Sequence, residues 1–482
     1  MRENGKNSVV TNLLWRAMER FGAQGITLVV LLVLARLLDP EAYGVLAIVT
    51  VFTVLLEVFL DSGLGNALIQ KKDADDLDFS SVFYVNIVFS LILYFLLFSA
   101  APLIAKFYDM SELTALVRVL GLVLIISGMK NVQQAYVSRN MMFKKFFFST
   151  LGGTLVAAVV GITIAYLGFG VWALVAQLLV NNLVDTAILW LVVPWRPKWM
   201  FSWQRFMDLF SYGWKLLASS MIYTINGNLR QLIVGKLYTT ESLAFYNQGD
   251  KLPAFLVNNI NTAIDSVLLS TLSAEQDDAE KIKIMTRRSV QICSYVMWPM
   301  MLGVVACAEP FVALVLTEKW LPCVPFMQIF CVTYALLPIY MTNMNAIKAV
   351  GHSEVVLKLE ITNKLLGLTA LLLVMRFGPF PIALSTLASS IIAQIISVFP
   401  NRKLFQYTAM ELAADILPSF FAAAVMCALV YAITILNLGS AVTLLLQIPL
   451  GVVLYVAISA LFQLEPFCFM RAMLKDAIKK RK

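Results

Sequence analysis

The chain has 482 residues, of which 60% are hydrophobic and only 14% are charged. A soluble fold of this length cannot cover so much apolar surface, so the composition excludes a soluble globular protein and predicts a polytopic membrane protein. The basic residues behind its net charge of +8 lie at the edges of the apolar stretches. This placement favours contact with anionic lipid headgroups over binding of nucleic acid.

Fourteen apolar stretches are long enough to cross a bilayer as helices. Their connections are too short to fold as separate domains, so the fold class is all-α and any function must reside among the helices. The predicted spans, each uncertain by a few residues, are 13–37, 42–66, 80–105, 113–137, 148–168, 170–194, 209–236, 243–273, 289–316, 322–349, 355–376, 379–400, 412–436 and 441–464.

The distribution of basic residues along the chain predicts its orientation. If the N-terminus is inside, most lysines and arginines fall in inner segments, and the outer loops hold only Arg36, Lys106, Lys236, Lys319 and Arg376. An excess of lysine and arginine marks the cytoplasmic side of a membrane protein. The alternation stays in phase to the end of the chain, so both termini are predicted to be cytoplasmic.

Parts of the chain align with themselves after a shift of 200 residues. ARLLDPEA around Arg36 matches GKLYTTES around Lys236, and residues 60–69 match residues 260–269. Each half holds six spans, which predicts parallel repeats with a substrate site between them near the midplane. The predicted organisation is an N-terminal lobe at 1–194, an interfacial linker at 195–208, a C-terminal lobe at 209–403, two further spans in 404–464 and a basic amphipathic tail at 465–482.

Aromatic and basic residues suggest how the linker and the tail are placed. Trp195, Trp199 and Trp203 lie among basic residues, which predicts an interfacial helix. The tail should lie on the inner leaflet as a helix whose basic face consists of Arg471, Lys475, Lys479 and Lys482.

Span 7 carries polar residues at helical spacing. Lys215, Ser219, Tyr223, Asn226 and Arg230 are separated by 4, 4, 3 and 4 residues, which places them on one helical face. Because an ionisable residue at mid-bilayer costs at least about 2.5–3.5 kcal/mol, such a face is expected to line a cavity.

Span 8 repeats this pattern with Lys251, Asn258, Thr262 and Asp265. Arg230 and Lys251 lie at similar distances from the short outer loop that joins the two spans. Two cations at a similar depth predict an anion site that suits a phosphate or diphosphate.

Spans 1 and 2 also carry charges, for which two interpretations remain open. Arg16 and Arg20 either face the cavity or extend to the cytoplasmic interface. Glu57 and Asp61 lie one helical turn apart and either bind a coupling cation or pair with the span 1 arginines.

Several catalytic signatures are missing from the sequence. It contains no GxxxxGK[ST], HExxH or GxSxG motif, and its six cysteines form no CxxC pair. We therefore expect no catalysis, no cofactor and no metal site.

Three stretches make the chain resemble a known family. These are RFGAQGITLVVLLVLARLLDPEAYGVLAI (20–48), LDSGLGNALIQKKD (60–73) and VGKLYTTESLAFYNQGDKL (234–252). With the fourteen spans, they resemble the polysaccharide-transporter branch of the multidrug/oligosaccharidyl-lipid/polysaccharide exporter superfamily. The likeness is to its lipopolysaccharide, colanic-acid and teichuronic-acid type exporters.

The resemblance implies two six-helix lobes plus two helices, working by alternating access in the bacterial cytoplasmic (inner) membrane. It implies a flippase that moves undecaprenyl-diphosphate-linked oligosaccharide to the outer leaflet. By helix position and residue type, the cationic cavity would be formed by Arg16, Arg20, Lys215, Arg230 and Lys251.

The remaining polar residues complete the predicted site. Tyr223, Asn226 and Asn258 would hydrogen-bond sugar hydroxyls. A coupling cation, H+ or Na+, would bind among the acidic residues Glu57, Asp61 and Asp265.

The expected partners are the lipid-linked oligosaccharide, membrane lipids, and a polysaccharide polymerase and glycosyltransferases. Two other functions remain open. A multidrug exporter of the same superfamily would capture cationic drugs and favour acidic cavity residues. A scaffold of a polysaccharide synthase complex would tolerate changes of its intramembrane charges.

Overall fold

The computed structural model describes residues 15, 18, 22, 24–61, 63–273, 275, 278–436 and 438–479, with the backbone alone at 61, 212, 262–267, 269–270 and 473–479. Every regular element in this part of the chain is helical, which confirms the predicted class. The α-helices are α1 (Gln24–Leu37), α2 (Pro40–Asp61), α3 (Leu64–Gln70), α4 (Asp76–Tyr108), α5 (Leu113–Leu120), α6 (Leu122–Arg139), α7 (Phe143–Tyr166), α8 (Val171–Val192), α9 (Trp203–Leu237), α10 (Thr240–Ser273), α11 (Ala279–Val315), α12 (Val324–Ala335), α13 (Leu337–Ala349), α14 (Ser353–Val374), α15 (Pro379–Phe405), α16 (Ala409–Ala432), α17 (Ser440–Leu461) and α18 (Glu465–Lys479). Short 3-10 helices occupy Glu318–Cys323 and Ile433–Leu436.

Each of the fourteen predicted spans overlaps one or more helices of the described residues, and parts of the first two spans lie outside those residues. Within the described part of the chain, ten helical stretches are long and apolar enough to cross a membrane, so the protein is a multi-pass membrane protein. Helices α9, α10 and α14 have 35, 34 and 22 residues but are not among the ten. These three helices carry charged residues along their length, and the count of fourteen crossings stays a prediction.

The helix boundaries follow the 200-residue repeat seen in the sequence. Helix α1 ends at Leu37 and α9 ends at Leu237, whereas α2 begins at Pro40 and α10 at Thr240. Equivalent turns thus occur 200 residues apart, because both copies end one helix and begin the next at the same place in the repeat.

The helices form two compact units, Met1–Ala244 and Phe245–Lys482. The division falls later than the predicted lobe boundary, and α9 belongs to the first unit, where it packs against α2, α3 and α4. The reason is that close glycine contacts and hydrogen bonds with residues distant in sequence join α9 to the first unit. A buried core in this unit is formed by Ala67, Leu68, Phe79, Val82, Phe83, Val132, Ala135, Val137, Phe146, Leu189, Val193, Trp195 and Leu209.

The interfacial helix predicted from the linker tryptophans forms only from Trp203 onward, because residues 193–202 are not helical. Pro194 and Pro197 lack the N–H group that a helix needs. The backbone N–H of Lys198 donates instead to the Ser80 hydroxyl at 3.0 Å. The chain before α9 is therefore bound to the start of α4.

A cluster of charged side chains, the Asp78 cluster (Lys71, Asp75, Asp78 and Arg205), reinforces this attachment. The side chain of Asp78 is fully buried and lies 2.7 Å from the Lys71 ammonium and 3.4 Å from the Arg205 guanidinium. Asp75 and Asp78 also form a capping box, which satisfies free N–H groups at the start of α4. One carboxylate thus links the α3–α4 connection to the first turn of α9.

In the second unit, α11 packs against α12, α13, α16 and α17. The buried carboxylate of Asp415 accepts hydrogen bonds from Arg287, Gln291 and Tyr407 at 2.8–2.9 Å. This network borders a cavity of about 630 Å³ whose other walls are mostly apolar. After α17, the chain forms helix α18, which agrees with the helix predicted for the tail.

Candidate functional site

Helix α9 presents the polar face that its sequence predicts. Ser202 caps the helix by accepting a hydrogen bond from the backbone N–H of Arg205, and the helix continues without interruption to Leu237. Lys215 and Tyr223 are exposed, and Asn226 and Arg230 are half-buried. Since these side chains recur at helical spacing, the helix carries a continuous row of hydrogen-bonding and cationic groups.

Other residues of α9 pack against α2, which sets the direction of this polar row. The Gln231 amide donates to the carbonyl oxygen of Ala47 at 2.6 Å. A Cβ atom at Gly235 would lie 3.1 Å from the Ile48 side chain, so the two helices already touch there. Because α2 covers the side of α9 that carries Gln231 and Gly235, the polar row lies on a different side of α9.

Two further contacts hold α2 and the residues that follow it in place, one against the start of α10 and the other against α9. Near the start of α2, a Cβ atom at Gly44 would overlap the carbonyl group of Thr240. Beyond the other end of α2, directly before α3, Gly63 meets Gly213 of α9 backbone to backbone, and a Cβ atom at Gly63 would lie 2.6 Å from the Gly213 oxygen. Only glycine permits this approach.

Helix α10 carries Lys251 and Asn258 as exposed side chains. Lys251 lies within a helix that starts at Thr240 and continues through Pro253, so it is not a loop residue. The neighbouring Asp250 accepts a hydrogen bond of 2.7 Å from the Tyr334 hydroxyl. Gly249 is pressed against Phe326, so the opposite side of α10 packs on α12.

A polar pocket of about 300 Å³ lies inside the first unit, between α2, α6 and α8. We call it the α2/α6/α8 pocket. It contains Glu57, whose carboxylate accepts a hydrogen bond of 3.0 Å from the Ser127 hydroxyl. Its lining residues are Thr50, Thr53, Val54, Glu57, Leu120, Val123, Ser127, Lys130, Asn131, Gln134, Leu178 and Asn182.

The one lysine of this pocket is held by a carboxylate and an amide. The Lys130 ammonium lies 3.6 Å from Asp185 and donates to the Asn182 side-chain oxygen at 3.1 Å. Both charged side chains are largely buried, at 14% exposure each. A buried cation needs such partners, and the pair leaves Lys130 with little excess positive charge to offer an anion.

The predicted site residues are divided between the two units, and some of them lie outside the described residues. Lys215, Tyr223, Asn226 and Arg230 lie together on α9 in the first unit, and Glu57 lines the α2/α6/α8 pocket of the same unit. Lys251 and Asn258 lie in the second unit, so a shared diphosphate site stays a prediction. Arg16 and Arg20 fall outside the described residues, and of Asp61 and Asp265 only the backbone is described.

Sequence reasoning missed most of the polar lining of the pocket. Ser127, Lys130, Asn131 and Gln134 follow one another at spacings of three, one and three residues. That spacing places them on one face of α6. A search of the predicted span 113–137 for a polar face would have found them.

The described residues do not contain a group of three or more histidine, cysteine or acidic side chains that could hold a metal ion. Within that part of the chain, the candidate site consists of hydroxyl, amide, ammonium, guanidinium and carboxylate groups. Such groups bind ligands by hydrogen bonding and charge.

Comparisons with known proteins agree on one family. A family model described as polysaccharide biosynthesis protein matches residues 33–325. The succinoglycan biosynthesis transport protein ExoT of Rhizobium meliloti (strain 1021) is 25% identical over 348 residues, which is 72% of this chain and 70% of that protein. The lipopolysaccharide biosynthesis protein WzxC of Escherichia coli (strain K12) is 24% identical over 402 residues, covering 82% and 81%.

A solved structure shows the same fold. The lipid II flippase MurJ in an inward closed conformation superposes with a TM-score of 0.76 over 93% of this chain and 98% of that one, at 15% identity. At this identity the likeness establishes the architecture alone. Since the family model covers more than half of the sequence, the chain belongs to the polysaccharide biosynthesis protein family, the polysaccharide-transporter branch of the exporter superfamily that the sequence resemblance predicted.

Proposed function

We propose that this protein is a flippase that moves a polyprenyl-diphosphate-linked oligosaccharide, of the undecaprenyl type, across the membrane by alternating access. The polar row on α9, from Lys215 to Arg230, carries this proposal. Helices of 35 and 34 residues, α9 and α10, are long enough to span a bilayer but carry lysine, arginine and asparagine along their length. Such side chains are costly in lipid and belong in a water-filled path. Membership of the family and the transporters among the relatives support transport rather than catalysis.

In this mechanism, Arg230 and Lys251 bind the diphosphate, and Lys215, Arg16 and Arg20 attract it. Arginine and lysine suit phosphate oxygens because charge-assisted hydrogen bonds are about twice as strong as neutral ones. Tyr223, Asn226 and Asn258 hydrogen-bond sugar hydroxyls. The lipid tail stays in the bilayer while the headgroup passes along the polar helices.

Charge removal on α9 and α10 tests the proposal. We expect Arg230→Ala and Lys251→Ala each to lower the flipping rate of lipid-linked oligosaccharide in proteoliposomes by roughly tenfold to a hundredfold, because each loses one charge-assisted contact. Lys403→Ala, which removes an exposed lysine at the end of α15, is the matched control and should leave the rate unchanged. A stable double variant that flips at the normal rate would disprove the site.

We further propose that the protein resides in the bacterial cytoplasmic membrane with both termini in the cytoplasm. Cysteines placed at Lys106 and Arg376 should react with a membrane-impermeant maleimide in intact cells. Cysteines placed at Lys72 and Lys403 should react only after permeabilisation. Labelling of both pairs from the outside, or the reverse pattern, would contradict the proposed orientation.

Coupling and partners remain parts of the proposal. A cation gradient, H+ or Na+, would act through Glu57, Asp61 or Asp265, and dependence of flipping on an imposed gradient would reveal it. A polymerase and glycosyltransferases are the proposed partners. The two rivals differ in outcome: a multidrug exporter would change drug resistance on deletion, and a scaffold would retain function in the Arg230 and Lys251 variants.

A further inference from the structure

We propose that the α2/α6/α8 pocket is a binding subsite for an uncharged sugar ring of the transported headgroup, separate from the groups that bind the diphosphate. This inference rests on the proposed flippase function and adds a specificity site to it. The pocket lies wholly within the first unit, and its volume of about 300 Å³ is at the lower end of the range for small-molecule sites.

The hydroxyl groups of the pocket present acceptors rather than donors. The Thr50 hydroxyl donates to the Ala47 carbonyl and the Thr53 hydroxyl donates to the Thr50 carbonyl, both at 2.9 Å. The Ser127 hydroxyl donates to Glu57. Each hydroxyl has one proton and two lone pairs, so these oxygens retain the ability to accept hydrogen bonds from a ligand.

One buried amide supplies a donor. Asn131 lines the pocket at 6% exposure, and its side-chain nitrogen has no hydrogen-bond partner among the described residues. A buried donor without a partner carries a desolvation cost. Rotation about the Cβ–Cγ bond of an asparagine is soft, so a ligand oxygen in the pocket can satisfy this group.

The combination matches a polyhydroxylated ligand. A sugar hydroxyl both donates and accepts, so one ring can donate to Thr53 and Ser127 while it accepts from Asn131. A phosphate offers acceptors only, and it would meet the threonine oxygens and the Glu57 carboxylate. The one ammonium of the pocket, that of Lys130, is already paired with Asp185 and Asn182. The pocket therefore selects against the diphosphate.

A coupling cation is also a poorer match. A bound metal ion requires several oxygens at roughly 2–2.6 Å, whereas this pocket is much larger than one ion. The predicted coupling role of Glu57 thus becomes an outcome that the experiment distinguishes.

The test compares two probes with the full-length protein in nanodiscs: undecaprenyl diphosphate without sugar, and the glycosylated carrier extracted from the host membrane. We expect Thr53→Val and Asn131→Leu to raise the Kd of the glycosylated carrier by about three- to tenfold, the effect of one lost hydrogen bond. The Kd of the bare diphosphate should not change. Thr163→Val, which removes a helix-bonded hydroxyl on α7 outside the pocket, is the control and should change neither.

The outcomes separate the subsite from the flippase. If Thr53→Val and Asn131→Leu leave the ratio of the two Kd values unchanged, or shift both alike, the sugar subsite is disproved. If they alter the dependence of flipping on Na+ or pH and not this ratio, the pocket is a cation site and the inference is also overturned. If the unmodified protein binds neither probe, the proposed function itself fails. Thr53→Val is nearly isosteric, so it carries the test even if Asn131→Leu does not fold.

Discussion

Gly44→Ala is expected to destabilise the protein by about 3 kcal/mol and to abolish most transport. The added methyl group would overlap the Thr240 carbonyl and lie 2.5 Å from its carbon atom. Backbone cannot move aside as a flexible side chain does, so the start of α2 must separate from the start of α10. The unfolding temperature of the purified protein and the rate of lipid-linked oligosaccharide flipping would measure the two effects.

Other glycines supply matched controls and an independent site. Gly65 in α3 and Gly227 in α9 have no atom within 4 Å of an added Cβ, so Gly65→Ala and Gly227→Ala should be neutral or stabilising by up to about 1 kcal/mol. Gly63→Ala and Gly213→Ala, whose new Cβ atoms would lie 2.6 and 2.8 Å from the facing backbone, should resemble Gly44→Ala. Equal stability of all five variants would show that these helices do not meet as described.

Asp78→Ala is expected to cost about 3 kcal/mol of folding free energy. The substitution leaves the Lys71 ammonium and the Arg205 guanidinium without their shared, fully buried carboxylate. Because both cations are partly exposed and gain some hydration, the loss should lie near the lower end for a broken buried ion pair. Chemical denaturation of the purified protein would measure it.

The attachment of the linker provides a second readout for the same change. A cysteine introduced at Lys198, whose backbone is bonded to Ser80, should react faster with a maleimide in the Asp78→Ala background. Asp73→Ala removes an exposed carboxylate of the same α3–α4 connection and should alter neither stability nor reactivity. Unchanged reactivity in the Asp78 variant would mean that the linker is held by other contacts.

The fold class follows from local properties of the chain. Apolar stretches of spanning length, and polar residues at spacings of three and four, depend only on the period of a helix. This is why the helices, the polar row from Lys215 to Arg230 and the turns near Leu37 and Leu237 could be predicted. The family could be predicted because whole segments such as residues 20–48 resemble it.

Contacts between segments that are distant in sequence could not be predicted from these local patterns. Nothing local indicates that Ser127 bonds to Glu57, or that Lys130 pairs with Asp185, since these partners are brought together by the packing of α2, α6 and α8. In the linker, the tryptophans favour a helix, but two prolines and a hydrogen bond to the Ser80 hydroxyl keep residues 193–202 non-helical.

The amino-acid sequence by itself determined that this protein is helical, membrane-spanning and built from repeats, because hydrophobicity and helical period act over neighbouring residues. Only the tertiary structure decided that α9 packs with the first unit and that a polar pocket lies between α2, α6 and α8 of that unit. Both depend on atoms separated by many residues, at glycine contacts and hydrogen bonds that form only when the helices are packed.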